Sequence, residues 1–178
     1  MNKTMNIRKL VLSALFAAVS LTLFLIESII PPVVPIPGVK IGLAYIPIML
    51  VMFIDGKWKI YDAALILTVK VILSALISGN LTSVYFSALG GLFSILVMSV
   101  MKLIIKGKWV TIPAGIFSAT AHNIGQLTAA MTLYSFTVWA YLPYLLISAV
   151  ITGFFCGLLI YLLTKKESKI IRNIKHLT

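Results

Sequence analysis

Residues 139–164 decide the fold, because they read WAYLPYLLISAVITGFFCGLLIYLLT without a single charged side chain. This run exceeds the roughly 20 apolar residues that a helix needs to cross a bilayer. Five further apolar runs precede it and are separated from one another by charged or turn-forming residues. The sequence therefore predicts an all-α, six-helix transmembrane bundle that forms one membrane domain, with the other helices at residues 9–30, 41–54, 62–78, 81–105 and 110–134.

The composition excludes a water-soluble fold. Hydrophobic residues make up 61% of the 178 residues and charged residues only 11%, whereas a soluble domain is about half apolar and a quarter charged. A chain of this length has no core large enough to shield so much apolar surface from water. Lipid is therefore expected to surround most of it.

The net charge of +11 indicates topology rather than nucleic-acid binding. With six spans, thirteen of the fifteen basic residues fall on one side of the membrane, and the exceptions are Lys40 and Lys70. The positive-inside rule then places both termini in the cytoplasm of a multi-pass plasma-membrane protein. Residues 167–178 are predicted to form a basic cytoplasmic tail against anionic lipid. The thirteen basic residues on the cytoplasmic side are Lys3, Arg8, Lys9, Lys57, Lys59, Lys102, Lys106, Lys108, Lys165, Lys166, Lys169, Arg172 and Lys175.

Lys70 is a candidate binding residue because it lies in the middle of the third apolar run. A cation at the bilayer centre costs about 2.5 to 3.5 kcal/mol on insertion scales, so something is expected to compensate for it. Pairing with Glu27 or snorkelling is one interpretation, and contact with an anionic ligand group is the other. Ser74 and Ser78 follow at helical spacing, which makes one face of this helix polar.

The fifth apolar run carries a second polar face, formed by Ser118, His122 and Gln126, with Asn123 beside it. A single histidine in a membrane helix most often makes a structural hydrogen bond, but this cluster favours a ligand site. A metal site would need more donors, so none is predicted. Two further candidates, Glu27 and Tyr45, are expected at the same level of the membrane, and Lys40 ends a proline-rich outer loop at residues 31–38. The pattern therefore predicts a solute pocket that opens outward.

Small residues form two further faces, Ala14 with Ala18 and Gly153 with Gly157. Such faces allow close helix approach, either inside the fold or toward a partner protein, and internal packing is the favoured interpretation. Gly90-Gly91 similarly indicates close packing or a kink. Cys156 stands alone, so neither a disulfide nor a cysteine-based metal site is expected.

Three segments resemble a known family: residues 35–44 (PIPGVKIGLA), residues 90–94 (GGLFS) and residues 122–126 (HNIGQ). Together they are similar to the Gx transporter or heptaprenyl diphosphate synthase component I family. That family in turn resembles the solute-binding S components of energy-coupling factor (ECF) importers. Tyr45 stands where the family usually has asparagine, and Lys70 stands where arginine is more usual.

The resemblance implies a six-helix fold, an outward solute site covered by the loop between the first two helices, and a coupling face. It places that face at Ala14 and Ala18, against a membrane-embedded coupling subunit that works with separate ATPases. The expected solute is a small molecule such as a vitamin, a flavin or a quinone precursor.

The sequence argues against catalysis by this chain. Prenyl diphosphate synthases hold magnesium and diphosphate with clusters of aspartates, whereas this chain has only Asp55 and Asp62. It also lacks a phosphate-binding Gly-x-x-x-x-Gly-Lys-Ser/Thr loop. We expect a non-enzymatic protein without cofactors, and the alternative to solute capture is an accessory membrane subunit of prenyl diphosphate or quinone biosynthesis.

Overall fold

The structure is a computed structural model that describes residues 7–29, 42–54, 58 and 60–175. Within those ranges it contains helices and short connections but no strand, which confirms the all-helical class. Turns of 3₁₀ helix at Leu43–Tyr45, Lys108–Val110 and Phe136–Tyr141 lead into α2, α5 and α6. The α-helices are α1 (Ile7–Ile29), α2 (Ile46–Phe53), α3 (Ile60–Ser78), α4 (Leu81–Ile104), α5 (Thr111–Leu133) and α6 (Leu142–Lys175).

Two helices differ clearly from their predicted bounds. The run predicted at residues 41–54 contains an α-helix of only 8 residues, α2. The run predicted at residues 139–164 continues as α6 to Lys175. The backbone of the basic stretch is therefore helical from residue 167 to Lys175. Lys40 and the proline-rich loop lie outside the described residues.

Local sequence explains the tight connection between α3 and α4. Gly79 adopts a φ of 61°, a left-handed conformation that glycine tolerates without steric cost. Asn80 is the N-cap of α4, and its side chain accepts a hydrogen bond of 3.1 Å from the backbone N–H of Ser83. These two residues reverse the chain and make α3 and α4 antiparallel neighbours.

Four helices are long and apolar enough to cross a bilayer, namely α1, α3, α4 and α6. The apolar helix at residues 43–53 is shorter, and at 1.5 Å per residue it covers about 17 Å, roughly half of the hydrocarbon core. α5 has 23 residues but many small and polar ones. It tolerates them because it packs between α4 and α6 inside the bundle. The chain is therefore a helical membrane protein. Among the described helices, α2 and α5 do not reach the length and apolarity expected of a membrane span.

Contacts between helix ends bring six of the described lysines to one end of the bundle. Lys9 Nζ lies 2.7 Å from Asp62 Oδ2, which joins the start of α1 to the start of α3. Lys102 Nζ donates to the carbonyl of Met52, which joins the ends of α4 and α2. Lys108 Nζ donates to the carbonyl of Thr164 over 2.6 Å, which joins α5 to α6. We call this end, with Lys9, Lys102, Lys106, Lys108, Lys165 and Lys166, the lysine-rich end.

Candidate functional site

His122 lies in the middle of α5, with its imidazole between two glycines. A Cβ atom at Gly90 of α4 would lie 2.6 Å from both Cε1 and Nδ1 of His122, which is closer than real Cβ contacts allow. A Cβ atom at Gly42 would lie 3.2 Å from Cδ2 of the same ring. The ring of Tyr45 contacts the imidazole at a centroid distance of 4.3 Å. Gly42, Gly90 and His122 come from the three sequence segments that carried the family resemblance, and they meet around one ring.

The imidazole of His122 is buried without satisfying its hydrogen-bonding capacity. Only 3% of the residue is exposed, and neither ring nitrogen makes a hydrogen bond of ordinary geometry with a described residue, although the backbone of Gly90 interacts with the ring. A buried polar group left unpaired costs about 1 to 3 kcal/mol. Such a group in a native structure calls for an explanation, and binding of a small molecule is one.

His122 faces a small cavity at the centre of the bundle, which we call the central cavity. Its volume is about 30 Å³, enough for about two water molecules. Among the described residues that line it there is no aspartate, glutamate, lysine or arginine, so their polarity comes from hydroxyl, thiol and imidazole groups. The lining residues are Gly42, Tyr45, Ile46, Met49, Ser94, Met98, Gly115, Ser118, Ala119, His122, Thr152, Gly153 and Cys156.

Lys70 lies behind this cavity rather than in its wall. It is 1% exposed, and its Nζ lies 3.3 Å from Ser87 Oγ, to which it donates. The ammonium also lies over the rings of Phe24 and Tyr45, at 4.4 Å and 5.2 Å from their centroids. Cation–π contacts of this kind are worth about 2 kcal/mol or more when the cation is desolvated. The protein itself therefore compensates part of the cost of burying this charge.

Tyr45 connects two of the candidate binding residues, because its ring contacts both Lys70 and His122. Its hydroxyl donates to the backbone carbonyl of Ser87 in α4. A Cβ atom at Gly91 would lie 2.8 Å from that hydroxyl oxygen, so the second glycine of the Gly90-Gly91 pair leaves room for the tyrosine. The two glycines thus leave room for two different side chains, Gly90 for His122 and Gly91 for Tyr45.

Replacing Tyr45 with phenylalanine tests the hydroxyl contact. We expect Tyr45→Phe to lower the free energy of unfolding by about 0.5 to 1.5 kcal/mol, because the hydrogen bond to Ser87 is lost. Tyr144→Phe is the matched control, since Tyr144 is 64% exposed, and its effect should stay within about 0.5 kcal/mol. Thermal unfolding in detergent measures both, and equal midpoints for the two variants would contradict a contribution from this bond.

The other predicted binding residues make structural contacts around the site. Glu27 accepts a hydrogen bond from the backbone N–H of Gly42 and so fixes the start of the 3₁₀ turn. Ser74 Oγ donates to the carbonyl of Val71 in its own helix. Asn123 Nδ2 donates over 2.8 Å to the carbonyl of Leu145, which ties α5 to α6. Gln126 is 1% exposed and lies beside Gly90, outside the lining of the central cavity.

Sequence reasoning did not select several residues of the lining as site residues, notably Ser94, Thr152 and Cys156. Thr152 and Cys156 are one helical turn apart on α6 and adjoin Gly153 and Gly157, so helical periodicity was the available signal. Ser94 follows Gly90 by one turn on α4 in the same way. A single hydroxyl or thiol in an apolar helix is too common to mark a site without its three-dimensional neighbours.

The glycines of α6 pack inside the bundle, as the favoured interpretation expected. A Cβ atom at Gly115 would lie 2.3 Å from the backbone oxygen of Gly153, and a Cβ atom at Gly157 would lie 2.5 Å from that of Thr111. The backbones of α5 and α6 therefore touch with no side chain between them. This contact brings Thr152 and Cys156 close to His122.

Ala14 and Ala18 behave differently, because both are exposed on the outer face of α1. The neighbouring Ser13 and Ala17 are only 7% and 3% exposed and face the bundle. Internal packing, the interpretation favoured from sequence, is therefore wrong for the Ala14 and Ala18 face.

These features define a helical membrane protein with a small, mostly apolar cavity between its helices, whose described lining carries no formal charge. A family model described as heptaprenyl diphosphate synthase component I matches residues 16–163. Because that match covers most of the chain, the protein belongs to this family, and the resemblance drawn from the three segments is confirmed. Comparisons with curated proteins and with solved structures gave no match.

Proposed function

We propose that the chain is the solute-binding membrane subunit of an ECF-type importer, which captures a small solute and passes it to an ATP-driven coupling module. The observation that carries the proposal is the buried imidazole of His122, which lies at the wall of the central cavity and whose ring nitrogens make no ordinary hydrogen bond to a described residue. A purely architectural role does not require a histidine whose ring nitrogens face a cavity. A solute that donates to one nitrogen and accepts from the other would satisfy both.

The cavity lining also bears on the chemical class of the solute. Because no described residue of the lining carries a formal charge, the part of the solute that enters is expected to be uncharged. Tyr45 and His122 offer ring faces, and Met49 and Met98 offer soft apolar contacts. An uncharged ring system with at least one hydrogen-bonding edge fits these groups. Flavins, quinone precursors and several vitamins contain such a part.

The exposed face of Ala14 and Ala18 supports a role in coupling. Two small side chains one turn apart leave a shallow groove on the outside of α1, and another helix could approach closely there. Leu15 and Val19, both exposed, lie beside it. No described residue of α1 lines the central cavity, so coupling and solute binding would use different helices.

A bulky side chain in this groove tests the coupling role. We expect Ala18→Trp to abolish co-purification with a co-expressed ECF coupling subunit and its ATPases. Val19→Trp is the matched control, because it adds the same ring to another exposed position about 100° further round the helix. The control should retain the complex. Complexes of equal yield for the wild type and both variants would mean that Ala14 and Ala18 face only lipid.

The family description favours the second candidate, an accessory membrane subunit of prenyl diphosphate or quinone biosynthesis. The same co-expression experiment separates the two. Recovery of the chain with a soluble prenyl synthase, and never with a coupling subunit, would replace the transport proposal by this one. In that case the Ala18→Trp and Val19→Trp variants should bind the synthase equally, because the contact would not involve the groove on α1.

A further inference from the structure

A second cavity lies at the lysine-rich end, and it differs from the central cavity in charge. Its volume is about 360 Å³, and Lys102, Lys106 and Lys108 line it together with Phe53, Gly107 and the start of α5. No acidic side chain is among the described residues of its lining, and Asp55, two residues after Phe53, lies outside the described ranges. Three ammonium groups around one cavity repel one another, and an anion between them would relieve that repulsion. We call this the basic cavity.

Backbone carbonyls hold two of the three lysines in place. Lys102 Nζ donates to the carbonyl of Met52 at the end of α2, and Lys108 Nζ donates to the carbonyl of Thr164 in α6. Lys102 uses one of its three N–H groups for this bond. The positive charge is thus held at two points of the wall, while Lys106 is exposed. Three ammonium groups around one cavity suit a multiply charged anion.

The start of α5 adds a further positive contribution. The 3₁₀ turn Lys108–Val110 leads directly into α5, and Val110, the N-cap of α5, provides no side-chain cap. At the start of α5 the N–H of Thr111 donates to the carbonyls of Lys108 and Trp109, and Pro113 has no N–H, so the contribution is that of the helix dipole, which favours anions at this end. Gly107 precedes the turn with a φ of 95°. Because it is a glycine, it places no side chain between the loop and the cavity. Helix dipole and lysines therefore act on the same space.

Aromatic residues place this cavity at the level of lipid headgroups. Trp109 is 68% exposed, and its ring contacts that of Tyr161 at a centroid distance of 4.6 Å. Lys165 Nζ lies 5.7 Å from the centroid of Tyr161. Exposed tryptophan, tyrosine and lysine occur together where a membrane protein meets the headgroup layer. A ligand of the basic cavity is thus drawn from that layer or from the water next to it.

We propose that the basic cavity binds a phosphate-bearing anion, supplied either by the headgroup of an anionic phospholipid or by a free diphosphate. Basic pockets between transmembrane helices are known to bind anionic lipid headgroups. The site is separate from the central cavity, so it does not depend on the proposed transport function. It assigns a common role to Lys102, Lys106 and Lys108, which the positive-inside rule treats only as orientation signals.

Native mass spectrometry of the purified full-length chain in detergent tests the proposal with two probes. One is phosphatidylglycerol compared with phosphatidylcholine, and the other is inorganic diphosphate. We expect the wild type to retain phosphatidylglycerol at least about tenfold more strongly than phosphatidylcholine, or to bind diphosphate, and Lys106→Glu to lose that preference. Lys166→Glu is the matched control, an exposed lysine at the same end but outside the basic cavity, and it should retain it.

The double variant Lys106→Gln/Lys108→Gln should lose the preference as well, and its melting temperature reports whether loss of the Thr164 contact has disturbed the fold. Retention of phosphatidylglycerol by the wild type assigns the site to lipid. Displacement of that lipid by diphosphate, or binding of diphosphate alone, assigns it to the free anion. Equal losses in Lys106→Glu and Lys166→Glu would overturn the proposal, because the preference would then reflect general surface charge. Absence of binding by the wild type to both probes would overturn it too.

Discussion

Replacing Gly115 with leucine is expected to destabilise the folded chain by about 3 kcal/mol or more. The reason is the backbone contact between α5 and α6, where even a Cβ atom would lie 2.3 Å from the oxygen of Gly153. A backbone oxygen cannot move aside as a flexible side chain can, so the helices must separate. Intrinsic helix propensity acts in the opposite direction, since leucine favours a helix over glycine by less than about 1 kcal/mol. Steric overlap is the larger effect.

Thermal unfolding of the purified chain in detergent measures this loss. Ala18→Leu is the control, because it adds leucine to an exposed position of a helix that faces lipid, and its midpoint should hardly change. Gly153→Leu should resemble Gly115→Leu, since the two glycines share one contact. The double variant should lose less than the sum of the single losses, because once the helices are apart the second side chain meets no new obstacle. An unchanged midpoint for Gly115→Leu would disprove the backbone contact.

Replacing His122 with methionine is expected to separate solute binding from stability. Methionine fills an irregular space and removes both ring nitrogens, so the solute-free chain should be as stable as the wild type or more stable. A solute that hydrogen-bonds to the imidazole should lose about 2 to 3 kcal/mol of affinity, which is roughly 30- to 150-fold. Mass spectrometry of small molecules retained through purification, combined with melting temperatures, measures both effects.

Gln126→Met is the comparison, because Gln126 is equally buried on the same helix face but lies outside the lining of the central cavity. Gln126 makes polar interactions inside the bundle, so this variant should be less stable than the wild type while retaining its solute. The two variants therefore have opposite expected signatures. If His122→Met is strongly destabilised and retains the same small molecules, His122 has a structural role and the central cavity is not the solute site.

The sequence was sufficient to predict helices, a membrane environment and one lysine-rich end, because these follow from local composition. A run such as residues 139–164 has no alternative to a helix in lipid. Only the family resemblance of their three segments indicated that Gly42, Gly90 and His122 belong together, since these residues are far apart in the chain. Their meeting depends on how α2, α4 and α5 pack. Hydrophobic periodicity does not encode that packing.

The partners of Lys70 could not be predicted for a related reason. Its burial near the membrane centre was evident, but the sequence offered only Glu27 or a ligand as compensation. In the structure the rings of Phe24 and Tyr45 also face the ammonium, and aromatic residues in an apolar helix give no sign of such a role. The shortness of α2 was visible in its apolar run, since residues 41–54 fall below the roughly 20 that a span needs, but the sequence did not show that the run begins with a 3₁₀ turn at Leu43–Tyr45.

The size of the central cavity has a consequence for the kinetics of binding. About 30 Å³ cannot hold a molecule of more than a few atoms, so under the proposed function a ring-bearing solute would bind to a more open form of the protein. The apparent dissociation constant then equals the intrinsic constant divided by the open fraction. A substitution far from His122 that raises this fraction would tighten binding without touching the solute. It would also speed association, because encounters with the closed population are unproductive.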